Sequence, residues 1–512
     1  MIRPIRQLVP FLFLAITGCA TVDFDYPKSA SWAVTATDDT RLGRRIAPVV
    51  APRGGDSGFV LQVDGIESLA ARMHLAGRAE RTIDAQYYLI RADRTGYLFI
   101  GALLRAADRG VRVRLLIDDI VTKGYDAGMA ALDAHPHFEV RVFNPFAARR
   151  RRLADALRDF RRVNRRMHNK SFTVDNQVTV VGGRNIADEY FAASDEVNMA
   201  DLDALCVGPV VHEVSRRFDL YWNHRAAAAV PAFAEIPEDP VHELARLRQR
   251  IEAARRAVEG TPYADVLKTD VESWAAVEES RFTWASATVV SDSPDKVYAG
   301  RAARVDSIVP PLREAIDEAR SELIVISPYF VLRSKGIEFM RRLRARGVTV
   351  RVITNSLASN NHPIVHSGYT PARRALLESG VEIHEFMPDV SVRGAARAGM
   401  ESAGGVLHTK AFVVDRQRLF LGSFNFDPRS ALINTELGMI IDSPRLANHV
   451  GALLDRHLDR ATYRVEMDDR GRLRWIDRAV DPVVTHTVEP ETTALQRFWI
   501  GLLRLLPIKG QL

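Results

Sequence analysis

Apolar and polar positions alternate in short runs along much of the chain, and longer stretches with helical spacing separate these runs. Two runs rich in β-branched and aromatic residues predict strands, and each is followed by a helix-like stretch and a further strand. The strand-like runs are 82–90 and 323–332, and the helix-like stretches are 98–108 and 337–345. Gly110 and Gly347 follow these stretches and fit helix C-caps. This order predicts βαβ units and a largely parallel or mixed sheet in each half.

The second half of the chain repeats the first. A His-x-Lys-x4-Asp pattern occurs twice, each time followed by a Gly-x-x-Asn sequence. The residues are His168, Lys170, Asp175 and Asn185 in the first copy and His408, Lys410, Asp415 and Asn425 in the second. The offset is 240 residues in every pair, as in 408 − 168. One match would be a weak signal, whereas two in register indicate a duplicated functional site rather than two structural histidines.

Each motif is expected on the first strand of a β-hairpin. The histidine and the lysine stand two residues apart, so a strand would direct both side chains to the same face. Phe172 and Val174 continue that face toward the interior in the first copy. Asp175 and Asp415 lie in predicted turns before a returning strand. We therefore expect these two aspartates to hold structure rather than to react.

Changes in composition divide the chain into segments. We expect a first α/β domain over 30–228, a partly helical connector over 229–285, a second α/β domain over 286–462 and a C-terminal segment over 463–512. A predicted hairpin turning at 468–471 begins the last segment. Its apolar end, 494–506, carries interspersed arginines, so it either lies on a membrane as an amphipathic helix or packs on the domain.

Residues 1–19 have the pattern of an export signal. Arg3 and Arg6 precede an apolar core at 8–16 that is short for a bilayer span. Small residues then lead to Cys19, an arrangement that resembles the bacterial lipoprotein box, in which the cysteine is lipidated. We expect a lipid-anchored protein of the cell envelope on the periplasmic side, with Ala20 favouring the outer membrane. An ordinary signal peptide or an uncleaved anchor is the alternative.

Composition and charge narrow the possible partners. With 47% apolar and 26% charged residues over 512 positions, the chain suits ordinary globular domains. The net charge of +6 favours an anionic partner such as nucleic acid, a lipid surface or a phosphate ester, although solvated arginines would give the same charge. Nine arginines lie in 149–166, just ahead of His168. This run either grips phospholipid headgroups or forms a solvated helix.

The duplicated motif resembles that of the phospholipase D superfamily, over nearly the whole chain after the signal. The resemblance implies two similar phospholipase D-like α/β domains, each a mixed sheet flanked by helices, that form one pseudo-symmetric active site. It implies that one histidine attacks phosphorus to form a phosphohistidine while the other protonates the leaving alcohol. Lys170 and Lys410 would stabilise charge on the phosphoryl oxygens. Asp175 and Asp415 are the last residues of the two copies of the catalytic motif. We expect His168 to attack and His408 to be the acid.

Supporting residues also follow from the resemblance. Side chains that can donate hydrogen bonds to the phosphoryl oxygens are Asn185, Ser423 and Asn425. Gly183 stands where the family often has serine. The family places an acidic residue downstream of each motif to orient the histidine, and the candidates are Asp203 and Glu436.

Within the superfamily, the sequence is most similar to bacterial cardiolipin synthases of the C type, through segments 164–170, 182–191, 201–203 and 423–436. Such enzymes move a phosphatidyl group from one phospholipid to a hydroxyl of phosphatidylglycerol. The resemblance implies anionic and zwitterionic phospholipids and a membrane surface as partners, with His366 and Tyr369 as substrate contacts. A phospholipase D-type hydrolase would use the same catalytic residues. An exported nuclease is a further alternative, but the lack of an aromatic-rich basic stretch argues against a nucleic-acid partner.

No cofactor and no metal are implied. Two lysines in the pocket would repel a cation and already do its electrostatic work. The one metal-like spacing is that of His362 and His366, and Pro363 between them argues against a regular helix there. The donor lipid and the oligomeric state stay open at this stage.

Overall fold

Most of the chain is described by a computed structural model, which covers residues 21–149, 151–261, 263–264, 281–298, 306–388 and 405–505. The strands of this part are β1 (Ser57–Gln62), β2 (Thr82–Tyr87), β3 (Arg112–Asp118), β4 (Phe138–Phe143), β5 (Ser171–Val174), β6 (Val178–Gly182), β7 (Asn198–Ala200), β8 (Asp203–Val207), β9 (Ala227–Ala229), β10 (Thr283–Ser291), β11 (Glu322–Ile326), β12 (Thr349–Asn355), β13 (Glu382–Phe386), β14 (Gly405–Leu407), β15 (Ala411–Val414), β16 (Arg418–Gly422), β17 (Leu437–Asp442), β18 (Thr462–Met467), β19 (Leu473–Asp477) and β20 (Val484–His486).

The α-helices of the same residues are α1 (Arg41–Val50), α2 (Gly65–Arg78), α3 (Arg94–Asp108), α4 (Asp126–Asp133), α5 (Arg152–Arg158), α6 (Phe160–Val163), α7 (Pro209–Trp222), α8 (Pro240–Ala257), α9 (Val309–Asp317), α10 (Ser334–Ala345), α11 (Pro363–Glu378), α12 (Pro428–Leu432), α13 (Pro444–Ala461) and α14 (Ala494–Leu503).

One mixed β-sheet runs through both halves of the chain. Its strand order is β9-β4-β3-β2-β5-β6-β8-β1-β10-β17-β16-β15-β11-β12-β13-β18-β19-β20. β1 and β10 pair antiparallel at the centre, and the same strand arrangement extends outward from them on either side. The pairs β2–β3, β3–β4, β11–β12 and β12–β13 are parallel, and the hairpin strands are antiparallel. The prediction of two similar α/β domains with mixed sheets is confirmed, and β1 with β10 joins the two sheets into one.

The helices of the repeated βαβ units end as the sequence predicts. Gly110 follows α3 with φ of 90°, and Gly347 follows α10 with φ of 87°. Glycine adopts this left-handed conformation without the steric cost that other residues meet, so it closes each helix before the next strand. α3 begins earlier than its apolar pattern indicates, because the Asp93 side chain accepts a hydrogen bond from Gly96 N–H and caps the helix.

Two hairpins carry the motifs: β5 with β6, and β15 with β16. The two central residues of each turn have positive φ, between 48° and 55°. The Asp175 carboxylate accepts hydrogen bonds from the backbone N–H groups of residues 80–82, and the Asp415 carboxylate accepts from those of 320–322. Each aspartate thus ties its hairpin to the start of the neighbouring strand, β2 or β11, which is a structural role.

The C-terminal segment packs on the second domain. β18 and β19 form the hairpin expected around 468–471, and α14 packs against α11. α14 buries Ile500 but leaves Leu495, Phe498 and Trp499 exposed. Among the residues described, no helix is long and apolar enough to cross a bilayer.

Candidate active site

The backbone of each motif histidine is held by the opposite half of the chain. The His168 N–H donates to the Thr435 carbonyl (2.9 Å), and the His408 N–H donates to the Ala200 carbonyl (2.8 Å). A parallel pairing of β7 with β14 and a bridge between Met167 and Thr435 accompany these contacts. The histidine and lysine of each motif lie just before β5 or β15 rather than inside the strand. The two motifs therefore meet at one interface.

A buried carboxylate from the opposite half binds Nδ1 of each imidazole. Glu436 Oε2 lies 2.8 Å from Nδ1 of His168, and Asp201 Oδ2 lies 2.5 Å from Nδ1 of His408. A carboxylate at Nδ1 accepts its proton and fixes the tautomer and the ring orientation. Nε2 is then the nitrogen of each ring that is available to react.

Asp203, which the sequence predicts as a histidine partner, has a different role. Its carboxylate accepts hydrogen bonds from Ser68 and Arg72, both at 2.9 Å, and pairs with Arg184 at 3.4 Å. Burial alone would raise the pKa of Asp203, but the two guanidinium groups lower it to about 2. The prediction for Asp203 is therefore wrong, since this carboxylate is held by two cations inside the first domain.

Strand register identifies Asp201 as the counterpart of Glu436. The glycine that ends each motif hairpin pairs with Asp203 in the first half and with Gly438 in the second. Two residues earlier, the acid is Asp201 in the first half and Glu436 in the second. A leucine follows both acids, at 202 and 437, and this is the sequence signal that identifies the right aspartate.

The absence of a side chain at Gly183 makes room for the carboxylate of Asp201. A Cβ on Gly183 would lie 2.1 Å from Oδ1 of Asp201, so the carboxylate occupies the space of a side chain. In the second half, the corresponding Ser423 donates its hydroxyl to Oε2 of Glu436. The departure from the family pattern at Gly183 is therefore coupled to the shorter acid that the first half uses.

The two orienting carboxylates differ in their support. Glu436 also accepts a hydrogen bond from the Ser430 hydroxyl (2.7 Å). Burial would raise the pKa of Glu436, but His168, a nearby lysine and the Ser423 hydroxyl bring it below its usual value. The other Asp201 oxygen accepts the backbone N–H of Leu202 (2.8 Å), and burial raises the pKa of Asp201 to about 6. Glu436 is therefore the more firmly ionised of the two.

Both motif lysines are buried beside the histidines. Lys170 Nζ donates to the His168 carbonyl (2.6 Å), and Lys410 Nζ donates to the His408 carbonyl. Burial lowers the pKa of Lys170 to about 7 and that of Lys410 to about 8. An anion between these lysines would favour their charged forms, so the pair suits a phosphoryl group.

Both imidazoles are held neutral at pH 7. Burial lowers the pKa of His168 to about 4, although Glu436 opposes the shift. Burial, the two lysines and His168 itself bring the pKa of His408 well below its usual value. A neutral imidazole has a free lone pair on Nε2, so either ring can act as a nucleophile or as a base.

A tyrosine ring lies against each motif histidine, and the duplicated motif itself does not point to either tyrosine. The Tyr88 ring lies edge-on to His168 at 4.8 Å between centroids, and the Tyr190 ring lies edge-on to His408 at 5.0 Å. Asn185 Nδ2 donates to the Tyr190 hydroxyl (2.9 Å), while the Asn425 N–H donates to the Ser430 hydroxyl (3.3 Å). In these contacts both asparagines hold groups that position the histidines or their acids.

His366 and Tyr369 lie in a buried polar cluster of the second domain. His366 Nε2 is 3.2 Å from Glu489 Oε1, and the Tyr369 hydroxyl donates to Glu385 (2.9 Å). Both side chains thus bind acidic residues inside the domain, so the structure does not support substrate contacts at either residue. The helix α11 begins at Pro363, contrary to expectation, because proline is tolerated in the first helical turn. Across the described ranges, no group of three or more potential metal ligands is found.

The fold and the site define an enzyme of the phospholipase D type: two histidine–lysine pairs meet at a pseudo-symmetric interface, and a buried carboxylate orients each histidine. The family described as "Cardiolipin synthase, PLD-like domain" matches residues 73–222 and 312–458. The chain belongs to this family.

Individual relatives agree with this assignment. The chain is 37% identical to cardiolipin synthase C of Escherichia coli (strain K12) over 477 residues, which are 92% of this chain and 99% of the relative. It is 23% identical to a cardiolipin synthase of Staphylococcus aureus (strain Mu50) over 77% of this chain and 65% of the relative. A crystal structure of phosphatidylserine synthase from Haemophilus influenzae superposes with a TM-score of 0.55 at 12% identity, over 90% of this chain and 95% of that one, and so shares the fold.

Proposed function

We propose that the protein transfers phosphatidyl groups between phospholipids through a phosphohistidine, and that it makes cardiolipin from phosphatidylglycerol and a second phospholipid. The observation that carries the proposal is the pair of neutral imidazoles, His168 and His408, each oriented by a carboxylate and flanked by a lysine. Similarity to cardiolipin synthase C over nearly its whole length supports phospholipids as the substrate class.

The reaction would proceed in two displacements. Nε2 of His168 attacks phosphorus, the P–O bond to the donor headgroup breaks, and His408 gives its proton to the leaving oxygen. A hydroxyl of phosphatidylglycerol then loses its proton to His408 and attacks the phosphohistidine, which frees His168. A phosphodiester anion beside His408 favours the protonated ring that the first step requires. Lys170 and Lys410 stabilise the charge on the phosphoryl oxygens throughout.

His168 is the better candidate for the nucleophile. Its partner Glu436 receives hydrogen bonds from two serine hydroxyls and stays ionised. An ionised carboxylate at Nδ1 increases the basicity of Nε2 and stabilises the cationic ring of a phosphohistidine. Asp201, with a pKa raised to about 6, gives His408 weaker support. Acid quenching during turnover, followed by mass spectrometric mapping, is expected to locate the phosphoryl group on His168.

We also infer that the enzyme works on an anionic membrane surface. α5 and α6 directly precede the first motif, and three apolar side chains project from them into solvent. These are Leu153, Leu157 and Phe160, which are 76%, 81% and 49% exposed. The exposed arginines around them are Arg151, Arg158 and Arg161. Exposed apolar side chains interspersed with arginines suit the headgroup region of an anionic bilayer.

This patch is joined to the catalytic pocket. Arg429 of α12 donates to the carbonyl and the side chain of Asn164, which follows α6. The next residue of α12 is Ser430, which binds Glu436. A bilayer in contact with α5 and α6 would therefore lie beside the wall of the pocket. Cys19 falls outside the described residues. We propose, from the sequence, that it carries a lipid anchor and that the protein lies on the periplasmic side.

Lipid mass spectrometry of a cardiolipin-deficient bacterium that expresses the protein tests the function. The intact chain is expected to produce cardiolipin, and His168→Ala and His408→Ala variants are expected to produce none. Phosphatidic acid without cardiolipin would contradict transfer and would favour a hydrolase that uses the same residues. Equal expression of the three chains, checked by immunoblot, is the necessary control.

A further inference from the structure

An apolar groove of about 1150 Å³ lies between α9 and α10 in the second domain. Its walls are apolar side chains of both helices and of the segment after β16. The residues that define it are Leu312, Ile316, Ile337, Phe339, Phe424 and Phe426. The volume lies slightly above the range of about 300–1,000 Å³ that is usual for small-molecule sites. Such a lining suits a long hydrocarbon ligand.

An additional helix covers the counterpart of this space in the first half. In the first half, the counterpart helices α2 and α3 pack against each other, and α8 packs along α3 with Ile251 against Gly101. In the second half, α9 and α10 stand apart, and the space between them is the groove. The first half thus keeps a smaller cavity of about 320 Å³ beside α3 and α8, whereas the second half keeps the larger groove.

One end of the groove adjoins the residues that support the catalytic site. Ser423, which donates its hydroxyl to Glu436, is followed directly by Phe424 on the groove wall. Asp427 also lines the groove, and its charge helps to raise the pKa of Lys410 against burial. The groove wall is therefore continuous with the segment that supports Glu436, and it begins beside the motif residues.

The outer rim of the groove is basic. The guanidinium groups of Arg313 and Arg342 lie 5.8 Å and 5.7 Å from the centroid of the Phe339 ring. Lys335 is exposed at the same rim. An apolar interior with a cationic edge matches an amphiphile that has a hydrocarbon chain and an anionic head, because each buried methylene gains free energy and the edge attracts the phosphate.

We propose that this groove binds an acyl chain of the phospholipid whose phosphate lies at His168 and His408. The inference rests on the proposed function and adds a specificity site to it. The groove selects substrates by hydrocarbon length, and one acyl chain leaves the bilayer to enter it when the phosphate reaches the lysines. Substrates too short to fill the groove are turned over without its help.

Filling the groove tests the proposal. Ile337→Trp and Leu332→Trp each place an indole in the space, and neither residue belongs to the catalytic machinery. Transfer is measured with dioleoyl phosphatidylglycerol in mixed detergent micelles and with dihexanoyl phosphatidylglycerol as a soluble substrate. Activity on the dioleoyl lipid is expected to fall at least 10-fold, while activity on the dihexanoyl lipid stays within twofold of the parent. Leu220→Trp, at an exposed position on α7, is the matched control and is expected to change neither.

The outcomes separate the two proposals. An equal loss on both substrates, or no loss on either, would overturn the acyl-chain site. A parent enzyme that transfers neither lipid would instead contradict the proposed function. Circular dichroism shows whether the tryptophan variants fold. If they do not, Ile337→Ala is the test, because a smaller side chain loosens the contact with the acyl chain. The KM for the dioleoyl lipid is then expected to rise at least threefold, and the KM for the dihexanoyl lipid is expected to stay unchanged.

Discussion

Glu436 and His168 are joined by a hydrogen bond of 2.8 Å, although 268 residues separate them along the chain. Asp201 and His408 are joined in the same way across 207 residues. Each half of the molecule therefore supplies the acid that orients the histidine of the other half. Neither half contains a complete site, so each histidine depends on the opposite half for its orientation.

Removing the charge at position 436 tests this relationship. In Glu436→Gln the amide oxygen can still accept the Nδ1–H, but it carries no charge to stabilise a cationic ring. We expect kcat to fall by about 100-fold or more while KM changes little. Steady-state transfer kinetics give the values, and circular dichroism reports whether the fold is retained. A variant that keeps more than a third of the parent kcat would show that the carboxylate does not orient the nucleophile.

The close approach of Gly183 to Asp201 predicts an unusual sensitivity to a single methyl group. Gly183→Ala would place a Cβ 2.1 Å from Oδ1 and displace the carboxylate from His408. We expect at least a 10-fold loss of kcat. Gly128→Ala is the matched control, because a Cβ there meets nothing within 4 Å. The double variant Gly183→Ser with Asp201→Glu reproduces the arrangement of the second half, and we expect it to recover activity relative to Gly183→Ala alone.

The shifted pKa values predict a narrow pH optimum for kcat/KM. Above about pH 7 to 8, Lys170 and Lys410 lose their protons, and the stabilisation of the phosphoryl oxygens is lost. Below about pH 6, Asp201 gains a proton and no longer accepts from His408. Activity is therefore expected to fall on both sides of a maximum between about pH 6 and 7. An Asp201→Asn variant that kept the acidic limb near pH 6 would show that another group causes it.

The exposed leucines of α5 predict a role in membrane binding. Full burial of one such side chain contributes about 1.5–3 kcal/mol, so Leu153→Ser with Leu157→Ser should weaken binding by more than 10-fold. Sedimentation with vesicles of phosphatidylglycerol and phosphatidylethanolamine measures the affinity, and activity on dihexanoyl phosphatidylglycerol should not change. Leu220→Ser on α7 is the control. Unaltered binding to vesicles would place the membrane contact elsewhere.

The N-terminal cysteine predicts a lipid-modified protein. Mass spectrometry of the intact protein from bacterial membranes is expected to show an acylated N-terminus at Cys19, and Cys19→Ala is expected to abolish the modification and release part of the protein. Parent protein recovered without a lipid would contradict this prediction and favour an ordinary signal peptide. If, in addition, the variant stayed fully in the membrane, an uncleaved anchor would be favoured. In vitro transfer by the Cys19→Ala chain should match that of the parent.

Much of the fold could be read from local patterns. The 240-residue offset of the motifs, the strand and helix runs and the glycines at 110 and 347 depend on residues close together in the chain. Their conformations follow from side-chain alternation, capping and turn geometry, which act over a few residues. The sequence also predicts the two histidine–lysine pairs and the structural role of Asp175 and Asp415, because these features too depend on short motifs.

Contacts between distant segments required the tertiary structure. The exchange of acids between the halves, the assignment of Asp201 instead of Asp203, and the tyrosines beside the histidines depend on how β7 pairs with β14 and β1 with β10. The burial of His366 and the gap between α9 and α10 depend on how helices pack over the sheet. The sequence alone thus determined two α/β units that each carry a histidine–lysine pair. The tertiary structure decided which groups complete the site, because desolvation and packing depend on neighbours that chain position does not reveal.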